Sequence, residues 1–93
     1  MGKAERYVED YLRKEAVKHN ILCYKFTAPG IRGVPDELLI FNGKIVFVET
    51  KSENGHLSPI QKKRISDMQK HGADVFVCYT REEVDNVIRF LTQ

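Results

Sequence analysis

The sequence predicts an α/β fold: a mixed four-stranded sheet with flanking helices, in the order α-β-β-β-α-β-α. Three observations carry this. Apolar residues recur at helical spacing near both ends of the chain. Between them lie short apolar runs separated by Gly, Pro and Asn. One tight-turn signal, Asn42-Gly43, is followed by a capped helical segment and a further apolar run. Strands joined by a tight turn pair antiparallel, whereas a strand reached through a helix returns parallel, so the sheet should be mixed.

The elements follow in order. From Glu5 to about His19, the spacing of Val8, Tyr11, Leu12 and Ala16 makes an amphipathic helix, with Asn20 as its stop. Ile21 to Thr27 reads as a strand. The stretch from Ala28 to Pro35 holds two Gly and two Pro and is a loop. Leu38 to Phe41 and Lys44 to Lys51 are the two strands of a hairpin. The second is apolar on both faces, with Ile45 and Phe47 on one and Val46 and Val48 on the other, so it should be central and covered on both sides. Ser58 is placed as an N-cap, with Pro59 at the first helical position, Gln61 completing a capping box, and Gly72 as the stop. Val75 to Tyr79 is a buried strand. Thr80 to Glu83 forms a second capping box, ahead of a helix with the stripe Val84, Val87, Ile88 and Leu91.

Composition bounds the function. The 93 residues are one domain's worth, 42% hydrophobic and 30% charged, which excludes a disordered chain. Lys and Arg number 15 against 13 Asp and Glu, a net charge of +2, so any nucleic-acid surface must be local. No apolar run approaches the ~18–20 residues of a membrane span, so no membrane partner is expected. The N-terminus is charged and lacks the apolar core of a signal peptide, and a cytoplasmic location is expected rather than secretion. The two cysteines, Cys23 and Cys78, sit in strand-like stretches without metal-ligand spacing and read as small buried residues. His19, His56 and His71 form no ligand spacing either.

The most informative feature is the charged end of a buried strand. Residues two apart in a strand share a face, so Glu49 and Lys51 continue the face of Ile45 and Phe47. Alone, this could be a strand running out into solvent with a weak surface pair. Asp36 changes the weighting. A two-residue turn pairs Phe41 with Lys44 and keeps the index sum at 85, which sets Asp36 opposite Glu49, with Cβ atoms ~5 Å apart. Two carboxylates so close repel unless a cation lies between them. A hard divalent ion with oxygen ligands resolves the conflict, and the backbone carbonyl of Thr50 could add to the set.

Pro35-Asp36 followed by Glu49-Thr50-Lys51 resembles the PD-(D/E)xK nuclease signature. Gly33-Val34-Pro35-Asp36, Val48-Glu49-Thr50-Lys51 and Gly55-His56-Leu57-Ser58-Pro59-Ile60-Gln61, in that order, resemble the virus-type replication-repair nuclease (VRR-Nuc) family, in a stand-alone viral-type form. The likeness runs from Glu5 to the last helix and implies a single nuclease domain over residues 1–93 with the restriction-endonuclease-like core. It implies phosphodiester hydrolysis, with Mg²⁺ or Mn²⁺ held by Asp36, Glu49 and the Thr50 carbonyl. That agrees with the residues themselves: an ion there lowers the pKa of a bound water, and Lys51 orients that water or stabilises the transition state.

Other residues keep two readings. Gln61 is a capping residue; it also shares a helical face with Ile65 and Met68, and the resemblance implies a functional Gln at this position. Glu5 borders the buried face of the first helix, where related nucleases carry a metal-binding acid. Glu9 is its rival, and a solvated acid favoured by the helix dipole is the plain alternative. Arg32, in the loop of Gly30 and Gly33, is either a phosphate contact or part of a strand connection. Lys62, Lys63, Arg64 and Lys70 are either phosphate contacts or the solvated face of a helix. By analogy with Holliday-junction resolvases, the resemblance implies a homodimer acting on branched DNA, chiefly four-way junctions. A flap or nicking endonuclease is the alternative enzyme, and a non-catalytic DNA-binding module the alternative of another class.

Overall fold

The computed structural model describes residues 3–93. Met1 and Gly2, at the charged N-terminus, lie outside them. The elements are α1 (Lys3–Lys18), β1 (Leu22–Lys25), β2 (Glu37–Phe41), β3 (Lys44–Thr50), α2 (Pro59–Lys70), β4 (Asp74–Cys78) and α3 (Arg81–Thr92). The order α-β-β-β-α-β-α is the expected one. The sheet runs β1-β2-β3-β4, with the first two pairs antiparallel and β3 and β4 parallel. β1 is shorter than the apolar run suggested, although Phe26 N–H, one residue past it, still donates to the Asp36 carbonyl at 2.7 Å. Among the described residues no helix is long and apolar enough to cross a membrane.

Local chemistry fixes the ends of these elements. Asn42 and Gly43 both take positive φ, 47° and 85°, as a tight hairpin turn demands. The pairing from Phe41↔Lys44 to Glu37↔Val48 follows from that turn. α1 stops at Asn20, whose φ of 60° lets the Asn20 and Ile21 N–H groups donate back to the Val17 and Ala16 carbonyls. α2 opens on a complete capping box between Ser58 and Gln61. It closes on Gly72, with Gly72 and Ala73 N–H donating to the Gln69 and Met68 carbonyls. The second capping box differs from expectation. Thr80 Oγ1 accepts from Glu83 N–H, but the Glu83 carboxylate accepts from Tyr79 N–H at 2.7 Å, one residue upstream of the cap.

α1 and α3 cover one face of the sheet. Leu12, Ala16, Leu39, Val46, Val48, Val84 and their neighbours form the core there. Cys78 belongs to this core, where burial pushes its thiol up to about 12, and Cys23 packs half-buried against its edge. The other face is only partly covered. α2 packs on β4, where Ile65 and Val75 are buried. The expectation that β3 is covered on both sides is therefore half right: Val46 and Val48 are fully buried, yet Ile45 is 51% exposed. The reason is lateral. A single helix lying over β4 cannot also roof β1, β2 and the first half of β3, and Leu22 and Tyr24 are left half-exposed beside Ile45.

The loop before Asp36 is held by one close approach. Gly33 has φ of 90°, and a Cβ there would lie 2.8 Å from the Ile60 carbonyl oxygen in the first turn of α2. Gly33→Ala should therefore destabilise the protein by about 1–3 kcal/mol, through both the positive φ and the clash. Gly30→Ala keeps the strain at its φ of 81° but meets no atom within 4 Å. In chemical denaturation Gly33→Ala should show the larger loss of the two.

Candidate active site

The Asn42-Gly43 register, extended one step past Glu37↔Val48, brings Asp36 beside Glu49. Asp36 is half-buried at the mouth of the sheet, its carbonyl fixed by the Phe26 N–H. Glu49 is 2% exposed. Its Oε2 accepts from Gln61 Nε2 at 3.3 Å and lies 3.7 Å from Lys51 Nζ, while its Oε1 has no partner. Burial pushes the Glu49 carboxyl up to about 8. The Asp36 carboxylate adds to the rise by its charge and by sharing a hydrogen bond, Glu5 adds to it, and Lys51 opposes it.

Lys51 follows the last residue of β3, but its N–H donates to the Cys78 carbonyl at 2.9 Å, so the ladder with β4 holds it in line with Glu49. Its side chain is largely buried. Thr50, between them, is fully buried, and its Oγ1 is also without a partner. Gln61 occupies both of its expected places at once. Its Oε1 accepts from Ser58 N–H at 2.9 Å to cap α2, and its Nε2 reaches Glu49. The two readings were never exclusive, because a primary amide has two ends.

On α1 the rivals separate. Glu9 is buried and accepts from Lys25 Nζ at 3.0 Å, while Glu5 is the α1 acid whose charge bears on Glu49. Of the basic set, Arg32, Lys62, Lys63 and Lys70 are exposed. Arg64 is half-buried, and its Nε donates to the Arg32 carbonyl at 2.7 Å, tying α2 to the loop before Asp36. Lys63 pairs with Asp67 one turn on, at 3.2 Å. His19 and His71 hydrogen-bond with carbonyls of their own helices, Glu15 and Asp67.

One cluster was missed by sequence reasoning. Glu37, next to Asp36, points to the opposite face of β2 and is fully buried against Arg13, Lys25 and Glu9. The signal was present in the register. Glu37 opposes Val48, a core-facing position, so a carboxylate was bound to lie inside.

Among the described residues no group of three or more His, Cys, Asp and Glu side chains is arranged to hold a metal ion. The site does fit a hard cation that keeps much of its water and takes one or two carboxylates from the protein. Two carboxylates converge at its centre, and one buried carboxylate oxygen points at no donor.

Asp36, Glu49 and Lys51 thus lie together at a buried sheet end, with Gln61 delivered from the following helix. The model of the VRR-NUC domain matches residues 9–82, and the chain belongs to the VRR-NUC nuclease family. It is 39% identical over 74 residues to "Putative nuclease p44" of Acyrthosiphon pisum secondary endosymbiont phage 1, a match covering 78% of this chain and 80% of that protein. A solved VRR_NUC domain superposes with a TM-score of 0.85 at 33% identity, covering 95% of this chain and 97% of that one.

The raised carboxyls set a pH dependence. Glu49 goes from an ordinary 4.5 to about 8, and Glu37 from 4.5 to about 7. Between those limits the folded chain holds protons that the unfolded chain has released. The stabilisation is complete below about pH 4.5 and is lost as pH rises towards 8. The metal-free melting temperature should fall over this interval. Glu49→Gln, which cannot ionise, should flatten the fall, as melting curves recorded from pH 5 to 8.5 would show.

Proposed function

We propose that this chain is a Mg²⁺- or Mn²⁺-dependent, structure-selective DNA endonuclease that acts as a homodimer on branched DNA, chiefly four-way junctions. The observation that carries the reading is the pairing of Asp36 with Glu49 beside Lys51, with one Glu49 oxygen left unpartnered. Asp36, Glu49 and the Thr50 carbonyl would hold the ion, with Glu5 at the edge of the set. A divalent ion there supplies a water of lowered pKa and charge neutralisation at the scissile phosphate.

The chain's own residues do the rest. Gln61 fixes the Oε2 end of Glu49 and leaves Oε1 buried and without a partner. Lys51 holds a positive charge where the attacking water and the pentacovalent phosphate need one. Lys62, Lys63, Lys70 and Arg32 offer exposed cations to flanking phosphates, and Arg64 braces the loop that carries Arg32.

The homodimer draws support from the open face of the sheet. Leu22, Ile40 and Ile45 form one row across it, and Tyr24, Leu38 and Phe47 the next. None is charged, so a phosphate backbone finds no cation there. An open apolar sheet face is best covered by another at ~10 Å, and a second copy of the chain supplies an identical one. The row beyond these two holds Asp36 and Glu49, so a two-fold pairing on this face would set two sites side by side.

Asp36→Ala should abolish both Mn²⁺ binding in calorimetry and cleavage of labelled DNA. Unchanged binding in that variant overturns the metal assignment. Lys51→Ala should lower kcat by about 10²–10³-fold, with little change in DNA affinity. Cleavage by the wild-type chain without added divalent ion would also overturn the reading.

Ile45→Glu should convert a dimer into a monomer in sedimentation and remove paired, symmetry-related nicking of a four-way junction, while leaving Mn²⁺ binding intact. A monomeric wild-type chain that cuts flaps as readily as junctions favours the flap-endonuclease alternative instead.

A further inference from the structure

On the face of the sheet covered by α1 lies a set of charges that the reaction does not use. Both oxygens of Glu37 accept from Arg13 Nη2 at 3.3 Å. Lys25 Nζ stands 3.8 Å from Glu37 Oε2 and donates to Glu9 Oε2 at 3.0 Å. Cys23 Sγ approaches Glu37 Oε1 at 3.7 Å. Both acids are buried, while Arg13 and Lys25 reach in from the rim. Two cations and two carboxylates make a closed set.

What the set connects is specific. Glu9 and Arg13 lie one turn apart on α1, Lys25 ends β1, and Glu37 opens β2 directly opposite Lys25. Each anchor adjoins a group of the candidate site. Glu37 follows Asp36, and adjacent strand residues point to opposite faces, so an inward Glu37 requires an outward Asp36. Lys25 precedes Phe26, whose N–H holds the Asp36 carbonyl. Glu9 is one helical turn after Glu5.

Stability alone does not call for these charges. Apolar residues of similar volume commonly serve a buried position as well or better than an ion pair. Apolar contact is non-directional, however, and tolerates a helix that slides or rotates. Charge-assisted hydrogen bonds to both oxygens of one carboxylate allow far fewer arrangements.

We propose that the Glu9–Lys25–Glu37–Arg13 network positions the nuclease site, holding α1 and β1 against Glu37 so that Glu5 and Asp36 converge on Glu49. The inference rests on the nuclease reading above. Its four members are positioning residues, since they act through Asp36 and Glu5.

The test uses the full chain carrying Glu37→Gln, and separately the paired change Arg13→Met with Glu37→Met, which replaces the ion pair by apolar volume. Melting temperature, Mn²⁺ binding by calorimetry, and kcat and KM on a labelled four-way junction are measured for each. Melting temperature should be no lower than wild type in the paired variant, and KM should stay within about two-fold, while kcat and Mn²⁺ affinity fall by about 10–100-fold. Wild-type kcat and Mn²⁺ affinity in both variants would overturn the proposal. So would a loss of kcat that disappears on cooling in step with the melting curve. Should the paired variant not fold, Glu9→Gln, which removes the charge that pairs with Lys25 and faces Glu37, is expected to give the same split between kcat and KM on a smaller scale; an unchanged kcat there is equally contrary. Asp36→Asn, run alongside, separates the two levels. Retained cleavage in Asp36→Asn overturns the nuclease site itself, whereas full activity in Glu37→Gln beside a dead Asp36→Asn overturns positioning alone.

Discussion

The register imposed by Asn42 and Gly43 decides which residues meet at the far end of the hairpin. Two residues with positive φ leave no slack between β2 and β3, so pairing at Phe41↔Lys44 dictates Glu37↔Val48 and carries Asp36 to Glu49. A slip of one residue would move Asp36 to the α1 face and push Glu37 into the site. The core enforces the same answer independently, because Leu39, Val46 and Val48 must all face α1 and α3. Turn geometry and apolar burial agree on one register, and the two carboxylates are its consequence.

That consequence is costly in isolation. Glu49 is buried with a second carboxylate beside it, and its preference for the protonated form measures the conflict. Lys51 and Gln61 relieve part of it on the Oε2 side. The rest of the fold offsets the remainder: the ladder to β4 holds Lys51, the capping box sets Gln61, and Gly33 lets the loop before Asp36 lie flat against α2.

Much of this was legible in the sequence because the signals were local. Helix caps, the Asn-Gly turn and the alternation along β3 each depend on a few neighbouring residues, and the element order and register follow from them. The convergence of Asp36 on Glu49 was legible for the same reason: the two are related by one turn. Coverage was harder. Ile45 has the composition of a buried residue, but whether α2 reaches it depends on where that helix settles, which no local pattern states. The Glu83 bond to Tyr79 differs from the expected cap by a single residue, within the latitude of a flexible carboxylate. The charges around Glu37 required combining the strand register with the phase of α1, two long-range facts at once. Glu5 and Glu9 were separated only when that phase was known.

Gln61 closes a different kind of circuit. One amide holds the first turn of α2 through its oxygen and a site carboxylate through its nitrogen. A substitution there alters helix initiation and the charge environment of Glu49 together, so the two traits are inherited as one. Drift at position 61 cannot change the cap without also changing the contact to Glu49. Glutamate would keep the cap while placing a third acid beside Glu49, and alanine would forfeit both bonds. The position is thus narrow for evolution and for engineering alike, and the narrowness comes from the bifunctional chemistry of a single side chain.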